Sequence, residues 1–138
     1  SVIITKCLDV FLSTNKKALL VCFESTDILI NDDLNIIGKN QIILIPKHNR
    51  IKLLNQNTDS YLIQFTKDIY GSKEQEEIFL NQILKSKDKF YQVTLSSISP
   101  FHLKNRILKG LMLLNKKHEL GSVYVRNLIE LLILEHIK

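Results

Sequence analysis

Seven short runs rich in β-branched and aromatic residues crowd into the first 66 positions of the chain. They read "VIITKCL", "ALLVCF", "TDILI", "LNII", "QIILIP", "RIKLL" and "SYLIQFT". Polar breakers divide them: "STNKK", "NDD", "GKN", "KHN" and "NQNTD". Strands this short and this closely spaced leave no room for helices between them. They predict a barrel or a sandwich rather than alternating strand and helix units. "DILI-NDD-LNII" is a hairpin candidate, and "RIKLLNQNTDSYLIQF" a looser one, because six polar residues separate its arms.

After Tyr70 the period changes. In "GSKEQEEIFLNQILKS", Ser72 and Gln75 have the spacing of a capping box. Ile78, Leu80, Ile83 and Leu84 follow at near-helical spacing, with Glu74, Glu76 and Glu77 where the helix dipole favours acid. "FYQVTLS" is expected to return to the sheet. Ser99 then serves as N-cap of a helix with Pro100 at its first position, where the missing N–H costs nothing. That helix should run to about His118, be stopped by Gly121, and be followed by another from Ser122 towards Lys138. The predicted organisation is a β unit over 1–70, a helix and return strand completing it over 71–98, and a helical hairpin over 99–138. All three belong to one domain, as 138 residues allow.

The two last helices carry more apolar surface than one sheet needs. At about 100° per residue, Leu103, Ile107, Leu111 and Leu114 form one stripe, and Phe101, Leu108 and Met112 a second. In the last helix Val125, Leu128, Ile129, Leu131, Leu132, Ile133 and Leu134 cover most of the circumference, leaving Arg126, Asn127 and Glu130 as a narrow polar strip. A helix that is apolar nearly all round is buried on more than one side. The expected second surface is another copy of the chain, with Phe101, Leu108, Met112, Leu128, Leu131 and Leu132 at the dimer interface; a compact monomer is the alternative.

Composition narrows the setting. Apolar residues make up 45% and charged residues 24%, ordinary for a globular protein. No apolar run reaches the roughly 18 residues of a membrane span, and "LIELLILEHI" contains Glu130 and Glu135. The start "SVIITKCLDVFL" has no basic leader before a long apolar block. Cys7 and Cys22 lie in strand-like runs and are expected to be buried free thiols in a reducing cytoplasm; they could pair only if those strands are neighbours. The net charge of +5 comes from lysines spread along the chain, locally dense only in "LKNRILKG" and "NKKH", so a solvated surface rather than direct DNA contact is expected. The absent initiator Met points to processing or an excised piece. The last helix ends in mid-pattern at "ILEHIK", so a continuation past Lys138 is expected.

Catalytic patterns are sparse. His48, His102, His118 and His136 are scattered, with no HxH, no HExxH and no metal-like spacing of Asp, Glu and Cys. Glu74, Glu76 and Glu77 read as a helix start, and Asp32 and Asp33 as a turn. No serine sits in a Gly-x-Ser-x-Gly elbow, and the four glycines form no phosphate-cradling loop. No enzyme activity, metal or cofactor is therefore expected. The candidate ligand-pocket residues are His48 in the turn "PKHNR", Arg50 at the start of the next strand, and Tyr61. Tyr61 and Gln64 fall on opposite faces of their strand, so only one of them can point inward.

Three segments together resemble the N-terminal regulatory domain of AraC-type transcription regulators, especially forms abundant in Bacteroidetes. "IIGKNQIILIPKHNRIKLL" resembles the family's Gly-x-x, apolar strand, Pro-turn, strand element. "SYLIQFTKDIYG" resembles its strand ending in Phe before a basic-acidic pair. "FLNQILKSKDKFYQVTLS" and the helices ending "SVYVRNLIELLILEHIK" resemble the region leading to its dimerisation helices. The resemblance implies a cupin-like double-stranded β-barrel followed by an antiparallel helix pair, sensing a small-molecule effector or mediating homodimerisation. In that family DNA is bound by a separate C-terminal helix-turn-helix domain, and nothing in residues 1–138 reads as a recognition helix.

Metal-binding cupins place His-x-His and a glutamate on one strand pair and another histidine after the Pro-turn. Here "ALLVCFESTDILI" has no histidine, and Ile51 stands five residues after Pro46, with only a displaced His48 nearby. The other readings are a stand-alone metal-free cupin enzyme or small-molecule-binding protein, and a cyclic-nucleotide-type sensor. The last lacks the Gly-Glu pair and phosphate-binding arginine it needs.

Overall fold

The computed structural model describes residues 2–6, 10–11, 17–45, 49–54, 59–66, 74, 91–94 and 99–135. Within them lie strands β1 (Val2–Lys6), β2 (Val10–Phe11), β3 (Lys17–Cys22), β4 (Thr26–Ile30), β5 (Asp33–Ile37), β6 (Gln41–Ile45), β7 (Arg50–Leu53), β8 (Ser60–Phe65) and β9 (Tyr91–Thr94). Two helices follow, α1 (Pro100–Asn115) and α2 (Gly121–Glu135). The strands form two antiparallel sheets, one in the order β1-β8-β3-β6-β9 and the other β2-β7-β4-β5. The fold is mainly β with two C-terminal helices. Among the described residues no strand pairing joins the two sheets into a closed barrel.

The centre of the larger sheet explains the layering. "ALLVC" in β3 and "IILI" in β6 are apolar at every position, without the alternation of a sheet that faces water on one side. Both strands are buried on both faces. Ala18, Leu20 and Cys22 point one way with Ile43, Ile45 and Leu62, and meet Ile28, Ile30, Ile37 and Ile51 of the smaller sheet. Leu19, Val21, Ile42, Leu44, Tyr61, Ile63 and Phe65 point the other way, against Leu103 and Ile107 of α1 and Val125, Leu128, Ile129 and Leu132 of α2. The register carries this through: Leu20 pairs with Ile43 and Leu62, and Leu19 with Leu44 and Ile63. The result is three layers: small sheet, large sheet, helix pair.

Local chemistry matches several expectations. The β4–β5 hairpin forms, and Asn31 and Asp32 turn it with φ of 53° and 69°, the left-handed pair of a type I′ turn. "YQVT" returns to the larger sheet as β9, beside β6. Ser99 stands at the N-cap of α1 with proline next, although its hydroxyl makes no capping bond.

Two expectations are corrected. β7 and β8 form no hairpin: β7 pairs with β2 and β4, and β8 with β1 and β3. The long polar link lets the chain cross between sheets, so Ile51 and Leu62 meet across the core rather than side by side. Gly121 does not stop α1; it opens α2. Instead Lys117 takes the left-handed conformation at φ 53°. Its N–H bonds the carbonyl of Leu114 at 3.1 Å, and the N–H of His118 bonds that of Leu113 at 3.0 Å, a Schellman ending with lysine in the usual glycine place. The Pro46 turn with His48, Cys7, and the helix expected from Ser72 (apart from helical Glu74) lie outside the described residues.

Candidate functional site at the helix seam

Among the described residues an apolar cluster lies between the sheets. Its ten buried hydrophobic residues include the free thiol of Cys22, and fully buried Thr26 and Ser60 lie on the same strand faces as Ile28 and Leu62. Burial pushes that thiol up from its ordinary 9.0 to about 11, while a hydrogen bond with Thr26 pulls the other way.

The proposed pocket residues do not converge. Tyr61 faces the helix layer, edge-on to Phe23 with ring centroids 6.2 Å apart. Arg50 lies in the other sheet and is exposed, its backbone N–H bonded to Asn31 Oδ1 at 2.9 Å. Next to it in β7, Ile51 points into the inter-sheet core, so Arg50 and Tyr61 are on opposite sides of that core. His48 lies outside the described residues. Among the described residues no group of His, Cys, Asp and Glu has the arrangement of a metal site.

The proposed interface residues divide into two sets. Leu128 and Leu132 are 3% and 0% exposed, packed against the chain's own larger sheet, so one copy accounts for their burial. Leu131 is half-buried. Phe101, Leu108 and Met112 are exposed by 69%, 41% and 44%, on the side of α1 opposite Leu103 and Ile107. The two stripes therefore exist, and one of them faces solvent.

Polar chemistry gathers along the seam between the helices. Gly110 is buried, and a Cβ there would lie 3.1 Å from Val125 and 3.6 Å from Tyr124. Gly121 likewise sits against the Leu113 backbone, so the helices run antiparallel and pinch together at Gly110. One turn from that pinch, Arg106 comes opposite Leu128. A cleft of about 320 Å³ opens there, lined by Arg106, Tyr124, Asn127 and Leu128. Beside it, Lys109 Nζ stands 5.6 Å from the centre of the Tyr124 ring, a cation–π distance. Sequence reading missed Arg106, Tyr124 and Asn127. The available signal was Gly110, a lone glycine inside a helical pattern, which marks a close packing partner.

At the other flank of α1, Lys104 Nζ donates to Asp59 Oδ2 at 2.5 Å. That hydrogen bond holds the ammonium above its ordinary value, helped by the charge of Asp59 and opposed by desolvation. Asp59 is itself tied to the larger sheet through its backbone, donating to Glu24 Oε2 and accepting from Phe23 N–H.

No family model and no curated protein matches the chain. Among solved structures it is similar to the plu4264 protein of Photorhabdus luminescens, at 21% identity over 62% of this chain and 64% of that one, with a TM-score of 0.33. It is also similar to apo ToxT from Vibrio cholerae strain SCE256 (8% identity, 92% of this chain, 51% of that one, TM-score 0.46). A ToxT structure with unsaturated fatty acid bound gives 10% identity, 93% and 50% coverage, and a TM-score of 0.41. The chain thus spans about half the length of ToxT. Likenesses at these values assign neither a family nor an activity. No described helix is long and apolar enough to cross a membrane.

Proposed function

We propose that this chain is the regulatory domain of an AraC-type transcription regulator, acting in the cytoplasm without catalytic activity of its own. In this reading its β unit is cupin-like, it senses a small molecule, and it pairs with a second copy through the helix hairpin. DNA contact belongs to a helix-turn-helix domain outside this chain. The order and spacing of the three sequence segments support the reading, as does the β unit followed by a helix pair. The observation that carries it is the solvent-facing stripe of Phe101, Leu108 and Met112, opposite a helix face already committed to the core.

The stripe spans about three turns of one helix face, which suits a helix-on-helix contact between copies. The interface is accordingly narrowed to Phe101, Leu108 and Met112. Light scattering on the chain and on a Leu108→Glu, Met112→Glu variant tests this. The chain is expected to run as a dimer, and the variant as a folded monomer. A monomeric wild-type chain at high micromolar concentration would overturn the interface. An isolated Leu132→Glu change is expected to unfold the chain instead, because Leu132 is core.

A further inference from the structure

Among the described residues an apolar cluster lies between the sheets, and the cleft at the helix seam offers polar groups to an effector. We propose that the cleft formed by Arg106, Tyr124, Asn127 and Leu128 binds a compact organic carboxylate. The inference rests on the regulator reading for its purpose only; the chemistry stands on the cleft itself.

Four features point to that class. The volume of about 320 Å³ is at the small end of ligand sites, enough for a ring or short chain with one head group. Its floor is Leu128, an apolar surface continuous with the core beneath α2. Its walls carry a guanidinium from Arg106, a carboxamide from Asn127 and a phenol from Tyr124, three groups that can each donate to an oxyanion. Arg106 makes no ion pair with any described residue, and its planar fork fits two carboxylate oxygens.

The surroundings reinforce the sign of the charge. No Asp or Glu occurs from Lys89 to His118, a stretch that holds Lys104, Arg106, Lys109, Lys116 and Lys117. Lys109, over the Tyr124 ring, keeps a second cation at the edge of the cleft. Glu130 on α2 is exposed and does not line the cleft. An anion entering here meets donors and cations on its polar side and leucine on the other.

The site is also placed to transmit a signal. It wedges between α1 and α2 one turn from the Gly110 pinch, so occupancy bears on the spacing of the two helices. The stripe of Phe101, Leu108 and Met112 lies on α1, and a change in the seam alters how that stripe is presented. Binding at the seam and pairing at the stripe are nevertheless separate events with separate residues.

The test is titration of the full 138-residue chain with benzoate, followed by amide NMR shifts. Benzyl alcohol, phenyl phosphate and inorganic phosphate are run beside it. Saturable shifts centred on Tyr124, Asn127 and Leu128 are expected with benzoate and not with benzyl alcohol. Arg106→Gln should weaken benzoate about tenfold or more, the effect of losing a charge-assisted hydrogen bond. Arg50→Gln, a surface arginine of the other sheet, should leave binding unchanged. Equal binding of benzyl alcohol, or an undiminished affinity in Arg106→Gln, overturns the proposal. Tighter binding of phenyl phosphate than of benzoate overturns the carboxylate assignment, and matching shifts from inorganic phosphate reduce the site to general anion attraction. Because the readout is binding to this chain, a monomeric but benzoate-binding protein would sink the dimer and leave the site standing.

Discussion

The two faces of the larger sheet carry two different cores. Between the sheets, six of the ten buried hydrophobic residues are isoleucine: Ile28, Ile30, Ile37, Ile43, Ile45 and Ile51. On the helix side the set is more varied: five isoleucines and two valines are joined by five leucines and by Phe23, Tyr61 and Phe65. β-branched side chains are stiff at χ1 and pack flat pleated surfaces against one another. Leucine and aromatic side chains reach further and fill the uneven gap between a helix and a sheet. The first arrangement seals; the second leaves edges, and at those edges stand Lys104, Arg106, Tyr124 and Asn127. The difference teaches that side-chain type follows the surface it covers, stiff β-branched residues between two sheets and longer or aromatic ones between sheet and helices.

The strongest way to break that contrast is to open a hole in the sealed core. Leu62 is fully buried, flanked by Leu20 in the neighbouring strand and facing the smaller sheet. Leu62→Ala should cost about 3–4 kcal/mol in urea unfolding, from lost burial and a cavity that rigid isoleucines cannot collapse. Leu111→Ala on the half-buried helix flank should cost about 1 kcal/mol. If the first change cost no more than the second, the inter-sheet space would be loose, and a ligand site there would regain its footing.

How far this contrast was legible in the sequence depends on the element. The strands announce themselves by β-branched runs and polar breaks, and "NDD" marks a turn, although Asn31 and Asp32 make it while Asp33 already belongs to β5. The three-layer order was written in "ALLVC" and "IILI", whose missing alternation requires cover on both faces. The double stripe of α1 was readable, since 3.6-residue periodicity separates Leu103 and Ile107 from Phe101, Leu108 and Met112. What could not be read was partnership. β7 and β8 look like neighbours in sequence, and only the long-range pairing of β8 with β1 and β3 puts them in different sheets. The same blindness hid the cleft: Arg106 and Asn127 are 21 positions apart in the numbering, and they meet only because Gly110 lets two helices close. Leu128 and Leu132 carry the same lesson: apolar pattern alone does not say which neighbour covers a residue, and one copy of the chain already buries both.

A smaller effect sharpens the sealed character of the inter-sheet core through Cys22. Its thiol is held protonated by burial, with the folded value at about 11 against an ordinary 9.0. Below about pH 9 both folded and unfolded chains keep the proton, and this group adds no pH dependence. Between 9 and 11 only the unfolded chain loses it, so stability falls as pH rises. The loss attributable to Cys22 should approach about 2 kcal/mol at the top of that window. It is read as the difference between the wild-type and Cys22→Ala stability curves against pH, which removes the lysines and tyrosines common to both. Parallel curves would mean that water reaches the thiol. Labelling by a thiol reagent in the native state at neutral pH should likewise be blocked at this position until unfolding.

The smallest expected effect tests the open side. Lys104 and Asp59 join α1 to the start of β8, and their geometry gives the pair the look of a clamp holding the helix layer down. Its surroundings argue otherwise, because the side chains of Lys104 and Asp59 are 38% and 23% exposed and water reaches both. The raised affinity of Lys104 for its proton means that the contribution is present at neutral pH and disappears only as pH climbs through that raised value. Screening and the entropy of fixing a long side chain leave such pairs at about 0.5 kcal/mol. Lys104→Met should therefore lower stability by about that amount, and added salt should erase most of the difference. The apolar stem of methionine keeps the packing of the lysine carbons, so the change isolates the charge. A loss of several kcal/mol would show the helix layer to be pinned by charge rather than by Leu103, Ile107, Val125 and Leu132. The contrast between the two cores would then lie in what fastens them as well as in what fills them.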